Sequence, residues 1–163
     1  MKRKPVRYSE SLKEELADKV QEATDGVVRG YMRSADGLRT LTTPRLIAAL
    51  GRGLAVQELD DLRNSLDLPM EKLIPLLGMS KATLHRRKIQ GRLEPDESDH
   101  VLRFARLMGY AAEVLESPEN ARRWLSSPQV GLGGAIPLEY AKTEVGARAV
   151  EDLLGRIEYG VYS

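Results

Sequence analysis

Residues 68–92 read LPMEKLIPLLGMSKATLHRRKIQGR, and this stretch constrains the fold more than any other. The spacing predicts one helix from Pro69 to Leu77, stopped by Gly78, a residue that enters the left-handed region without a steric penalty. Met79 is an apolar plug in the turn, and Ser80 is placed to cap a second helix over 81–90. In that second helix Leu84 points inward, while Lys81, Ala82, His85 and Arg86 share the opposite face by the three-and-four rule. A helix, a three-residue turn containing glycine, and a second helix with bases in its first turns make a helix-turn-helix. The second helix of such a unit lies in the major groove, where Arg and Lys reach guanine O6 and N7 and neighbouring donors meet phosphates. The candidate DNA-binding residues are Ser80, Lys81, Ala82, Thr83, His85, Arg86 and Lys88. An αα-hairpin with a solvated basic face is the plainer alternative. Pro75 removes a backbone donor inside the first helix, so that helix is expected to be kinked or short. Arg87 stands where many such motifs place a core-facing Ile or Trp, and Ile74 is bulky where Ala is usual.

The charge distribution agrees with a DNA-binding element. The net charge is only +1, but residues 1–7 carry four bases and no acid, and residues 81–92 carry five bases and no acid. The rest of the chain is therefore mildly acidic. A focused basic cluster on an acidic body is the electrostatic footprint of a nucleic-acid binder. The alternative for Lys2, Arg3 and Lys4 is a solvated chain end.

Outside this centre the chain of 163 residues again reads as helix, with no sustained period-two alternation, and the expected fold class is all-α. One amphipathic helix is expected over 9–33, capped by Ser9, with Leu12, Leu16, Val20 and Ala23 on one face. A polar loop follows at 34–37. Thr43-Pro44 opens a short helix that stops at Gly51-Arg52-Gly53; Leu59, Leu62 and Leu66 form the next stripe; Asp67-Leu68-Pro69 repeats the cap-and-proline signal. A long helix is expected at about 96–116, with Val101, Leu102, Ala105, Met108, Ala112 and Leu115 facing one way. Helix 119–125 and an uncharged loop through 126–137 precede a last helix capped by Thr143, whose stripe is Val150, Leu153, Leu154 and Ile157 and in which Asp152 and Arg156 stand four apart. The division expected is an N-terminal helical extension (1–42), a helix-turn-helix domain (43–114) and a small helical domain (115–163).

Several classes fall away. The absence of cysteine removes disulfide scaffolds, Cys-ligated zinc and thiol nucleophiles. No uncharged stretch approaches the roughly 20 apolar residues that span a bilayer, and the first residues do not read as a secretory signal, so a soluble cytoplasmic protein without membrane contact is expected. The two histidines, His85 and His100, have no visible nucleophile or ligand partners, and Gly131-Leu132-Gly133-Gly134 lacks the Lys-Ser/Thr of a phosphate loop. No catalytic residue, metal site or cofactor is expected. Trp124 reads as core. The ending Tyr159-Gly160-Val161-Tyr162 is unusually aromatic for a chain end; it either folds back on its own core or is an interface anchor.

The C-terminal third resembles the Xre/MbcA/ParS class of antitoxins of toxin-antitoxin systems. The likeness rests on Ala121-Arg122-Arg123-Trp124-Leu125 followed by Ser-Pro, Leu132-Gly133-Gly134, Pro137-Leu138, Thr143-Glu144-x-Gly146, and the run from Leu153 to Tyr162. Upstream, Thr83 to Lys88 and Gly91-Arg92-Leu93 are similar to that class's helix-turn-helix and the link after it, so the likeness covers about Thr43 to the C-terminus. It implies a bipartite antitoxin. The helix-turn-helix would bind operator DNA of its own operon, as a homodimer. The C-terminal domain would neutralise a RES-type toxin, similar in fold to ADP-ribosyltransferases, which either consumes NAD+ or modifies a target. In that class the antitoxin's end covers the entrance to the toxin's active site, which gives Arg156, Glu158, Tyr159, Gly160, Val161 and Tyr162 the toxin-binding role. The competing reading is a stand-alone dimeric helix-turn-helix repressor; a third is an antitoxin that binds DNA well only with its toxin.

Overall fold

A computed structural model describes residues 9–12, 26–32 and 43–160. Within them the elements are α1 (Val27–Met32), α2 (Thr43–Arg52), α3 (Gln57–Leu66), α4 (Met70–Leu76), α5 (Lys81–Gln90), α6 (Pro95–Val114), α7 (Pro118–Leu125), a 3-10 turn at Val130–Leu132, α8 (Pro137–Tyr140) and α9 (Glu144–Glu158). Among the described residues there is no strand, only isolated bridges between Ala55 and Arg92 and between Gln129 and Ala135. The all-α expectation holds.

The long helix α6 organises the core. It packs against α1, α2, α3, α7 and α9. Because neighbours surround it, its burial is wider than the one stripe expected: Phe104 and Leu107 are buried beside Val101, Leu102, Ala105 and Met108. Its N-terminus is fixed by a capping box, in which the Glu97 carboxylate accepts from the Glu94 amide at 2.9 Å.

The expected helix 9–33 is corrected where it is described. Ser9 caps a turn, its Oγ accepting from Leu12 N–H at 3.3 Å, but Gly26 lies in a turn and α1 begins only at Val27. The physical reason is Glu58, fully buried, whose two carboxylate oxygens accept from the amides of Val27 and Val28 at 3.2 and 3.1 Å. A carboxylate at a helix N-terminus satisfies orphan donors and meets the positive end of the dipole. Val27 and Val28 are themselves fully buried. Leu16, Val20, Ala23, the loop 34–37 and the basic residues 2–4 lie outside the described residues.

Asp67 also departs from expectation. It is not the N-cap of α4; it ends α3 in the left-handed region (φ 52°), a conformation that Asp tolerates better than most residues, and Pro69 takes the N-cap place. The Pro75 expectation holds as shortness: α4 runs only seven residues.

Candidate functional site

The turn between α4 and α5 is built as its residues dictate. Gly78 adopts φ 69°, Met79 is buried, and the Ser80 hydroxyl accepts from Thr83 N–H at 3.1 Å. Leu84 is buried, so α5 is oriented with Ser80, Lys81, Ala82, His85, Arg86 and Lys88 exposed. Thr83 is half-buried, and its hydroxyl accepts from Ser80 and, at 3.4 Å, from Arg86.

The five bases of 81–92 divide into two groups. Arg87 turns to α6: its Nε donates to both oxygens of Glu97 at 2.9 and 2.8 Å, and Nη1 donates to Gln90 at 3.0 Å. The Arg87 and Glu97 side chains are only 12% and 14% exposed. Their hydrogen bond raises the Arg87 pKa. Burial alone would push Glu97 up, but the bonds from Arg87 and from the Glu94 amide hold its carboxyl below the usual carboxylate range. Arg92 Nη1 donates to the Gly53 carbonyl at 2.9 Å, beside the bridge joining Ala55 to Arg92. Arg87 and Arg92 therefore hold α5 in place, while Lys81, Arg86 and Lys88 remain on its surface. The apolar residue usual at position 87 is replaced by an ion pair that aims the helix.

The C-terminal region is assembled along α6. Arg103 Nε donates to Glu144 at 3.2 Å, Arg106 Nε to Glu151 at 3.0 Å, and the Tyr110 hydroxyl to Glu158 at 3.0 Å. The three glutamates are seven residues apart, and their partners follow the same order, so α6 and α9 run in the same general sense. The bond from Arg148, together with Arg103 and Arg106, outweighs burial and lowers the Glu144 pKa. Burial, and then the Glu158 carboxylate, push the Tyr110 hydroxyl up to about 12. The sequence carries the signal for this ladder in the spacing of Glu144, Glu151 and Glu158, but nothing in it marks their partners on α6.

Thr143 caps α9 as expected, accepting from Gly146 N–H at 3.0 Å. A Cβ on Gly146 would lie 1.7 Å from the Tyr140 carbonyl oxygen, so the motif Thr-Glu-x-Gly demands glycine for close approach. Asp152 and Arg156 do not form the i,i+4 pair that their spacing allowed; the nearby ion pair is Arg106 with Glu151. Both instead line an open hollow of about 660 Å³ with Tyr110, Glu151, Gly155 and Tyr159. Tyr159 is 79% exposed at the end of α9, and Arg156, Glu158 and Gly160 are exposed with it. Glu158 is also the acceptor for Tyr110. Val161 and Tyr162 lie outside the described residues. Tyr159 does not fold back on the core.

Three other features of the sequence are resolved by contacts. Trp124 is half-buried and packs on the core, and it also lines a smaller hollow of about 350 Å³. The amides of Leu132, Gly133, Gly134 and Ala135 all bond to carbonyls within 129–132, so this glycine-rich turn spends these four amides on its own closure and not on a phosphate. His100 Nδ1 donates to the Leu77 carbonyl at 2.9 Å, a structural link from α6 to the end of α4. Among the described residues no helix is long and apolar enough to cross a membrane.

Comparison with known proteins gives matches in both halves. The family described as the antitoxin Xre-like helix-turn-helix domain matches residues 45–106, and the antitoxin Xre/MbcA/ParS C-terminal toxin-binding domain matches residues 111–160. The protein named antitoxin Xre of Yersinia enterocolitica is 33% identical over 120 residues, 72% of this chain and 81% of that one. The antitoxin Xre of Photorhabdus laumondii is 32% identical over 129 residues, 78% of this chain and 87% of that one. A third antitoxin Xre, from Pseudomonas putida, is 32% identical over 90 residues, covering 55% and 54% of the two chains.

Proposed function

The chain belongs to the Xre family of antitoxins, and from that premise we propose that it silences a cognate RES-type, NAD+-consuming toxin by covering the entrance to its active site. Arg156, Glu158, Tyr159 and Gly160 are the near edge of that cover, continued by Val161 and Tyr162. The same chain, as a cytoplasmic homodimer, represses its own operon through Ser80, Lys81, Ala82, Thr83, His85, Arg86 and Lys88, since one recognition helix reads too few bases for useful affinity. It acts by binding and not by catalysis. The functional division is 43–114 for DNA and 115–163 for toxin, with 1–42 as an N-terminal extension.

The observation that carries this reading is the separation of two exposed faces along α6. Arg87 ties α5 to Glu97 near one end of that helix, and Tyr110, thirteen residues on, ties the end of α9 to the other. At 1.5 Å per residue the two anchor points are roughly 20 Å apart. That spacing leaves the basic face of α5 and the aromatic end of α9 free for different partners at once. The exposed Tyr159 supplies what an interface anchor needs, a large amphipathic ring with few rotamers to freeze.

The test is removal of residues 159–163. The shortened chain should still bind duplex DNA from its own upstream region with affinity within about twofold of the full chain, yet fail to rescue cells expressing the toxin from the adjacent reading frame. Rescue by the shortened chain overturns the assignment of the tail.

A further inference from the structure

Helix α5 carries two large aliphatic side chains, and they lie in opposite environments. Leu84 is buried, whereas Ile89 is 75% exposed. Positions 81, 82, 85, 86 and 89 stand at i, i+1, i+4, i+5 and i+8, so Ile89 continues the same outer stripe as Lys81, His85 and Arg86. The stripe from Lys81 to Ile89 rises roughly 12 Å, the height of about three to four stacked base pairs. Neither neighbour of α5 uses Ile89: the inner side is filled by Leu84, and the contact with α6 is made by Arg87.

The end of α5 that carries Ile89 is also held firmly. The Gly91 amide donates to the Arg87 carbonyl at 2.7 Å, the Gly91 carbonyl accepts from Val56 N–H at 3.0 Å, and Leu93 N–H donates to the Leu54 carbonyl at 2.9 Å. With Arg87 fixed on Glu97, Ile89 rides on a rigid support, which is how direct base readers are mounted. The edges of base pairs in the major groove are donors and acceptors with one apolar exception, the C5 methyl of thymine. An isoleucine beside Arg86 and Lys88, on the stripe that Lys81 begins, enters a groove walled by phosphates, and that methyl is the one chemical feature there that complements it.

We propose that Ile89 is a specificity-determining residue of α5 that reads a thymine methyl in the operator; this rests on the DNA-binding reading above. The experiment uses the full chain and duplex DNA from upstream of its own reading frame, synthesised once with thymidine and once with deoxyuridine throughout. Deoxyuridine removes each C5 methyl and leaves every phosphate and pairing edge in place. Binding is measured with and without the toxin from the adjacent frame. The unsubstituted protein should prefer the thymidine duplex by roughly five- to tenfold. Ile89→Ala should bind both duplexes alike, at about the affinity of the unsubstituted protein for the deoxyuridine duplex. Changes of groove shape caused by deoxyuridine would persist in Ile89→Ala, so the disappearance of the preference isolates the methyl interaction.

If Ile89→Ala keeps the full preference, or the unsubstituted protein has none while Lys81→Ala still weakens binding, the assignment of Ile89 fails and the DNA reading stands. A chain that binds neither duplex under either condition overturns both. If Ile89→Ala shifts the sedimentation of the free protein to a smaller species and leaves the preference intact, Ile89 belongs to an interface between copies and the proposal is overturned.

Discussion

The faces of α5 and of the end of α9 that we assign to DNA and to the toxin both present exposed side chains, but they treat charge in opposite ways. At α5 the half-buried charges, Arg87 on Glu97 and, just past the helix, Arg92 on the Gly53 carbonyl, set the helix in place, and the remaining bases are displayed. On α9 the acids Glu144, Glu151 and Glu158 face α6 and set the register of the helix. What is displayed there is a tyrosine beside Asp152 and Arg156. Charge density along the chain is thus a poor guide to which surface does what; burial of the partner is the better one.

The sharpest way to break this contrast is to disrupt the seat of α9 without touching α5. Gly146→Ala drives a methyl into the Tyr140 carbonyl, a backbone atom that a rotamer change cannot move. Overpacking of this kind costs about 3 kcal/mol. In a chain of this size that lowers the melting temperature by roughly 10 °C. A melting curve within a degree or two of the unsubstituted protein would show that the α8–α9 junction shifts easily and is not the seat of α9.

At the other end, Lys81→Ala with Arg86→Ala removes two displayed cations and no buried ones. Each phosphate left without its cation reduces the slope of log K against log salt by about 0.9, so the double variant should flatten it by roughly 2. Affinity at moderate salt should fall by roughly one to two orders of magnitude, with the melting temperature unchanged. An unchanged salt slope would place the phosphate-neutralising groups elsewhere. Glu97→Gln tests the complementary claim, that Arg87 acts on DNA only through the position of α5. It should weaken DNA binding without flattening the salt slope, because no displayed cation is removed. It should also remove part of the stability lost on acidification. The folded Glu97 carboxyl titrates below its unfolded value, so its contribution is present above about pH 4.5 and fades as pH falls through the folded pKa.

Much of this architecture is legible in the order of residues, and the largest exceptions share one cause. The turn at Gly78 to Ser80, the inward Leu84 and the Thr143 cap are local: each depends on neighbours within four residues, and each is found where the spacing places it. The largest misreadings depend on partners far along the chain. Helix 9–33 is interrupted before Val27, where Glu58, thirty residues on, caps the new start, and the wide burial of α6 comes from the several helices packed on it; Asp67, which ends α3 instead of capping α4, and the absent pair Asp152–Arg156 are local exceptions. Arg87 stands out in the sequence as a departure, but only its bond to Glu97 on the next helix explains it. Ile89 escapes a reading of residue types because its exposure, not its identity, is what marks it.

The smallest effect belongs to the outermost rung of the ladder on α9. Tyr110→Phe deletes the hydrogen bond to Glu158 and leaves the ring in place. The site is open to solvent, so the destabilisation is no more than about 0.5 kcal/mol. Its pH dependence is nevertheless distinctive. The folded pKa of Tyr110, about 12, lies above the ordinary value of 10.0, so the protonated hydroxyl is the form the fold favours. Its contribution is full below about pH 10 and declines as pH rises toward about 12. The stability advantage of the unsubstituted protein over Tyr110→Phe should therefore be constant from neutral pH to about 10, then fall and change sign above it, because ionisation of the hydroxyl in the unfolded chain costs the unsubstituted protein more than one solvent-exposed hydrogen bond supplies. Chemical denaturation at pH 7, 9 and 11 measures this. An advantage of the unsubstituted protein that grows at high pH would mean that the ionised phenolate is stabilised by Arg156 across the hollow, and that the displayed end of α9, like α5, also uses a cation to hold its place.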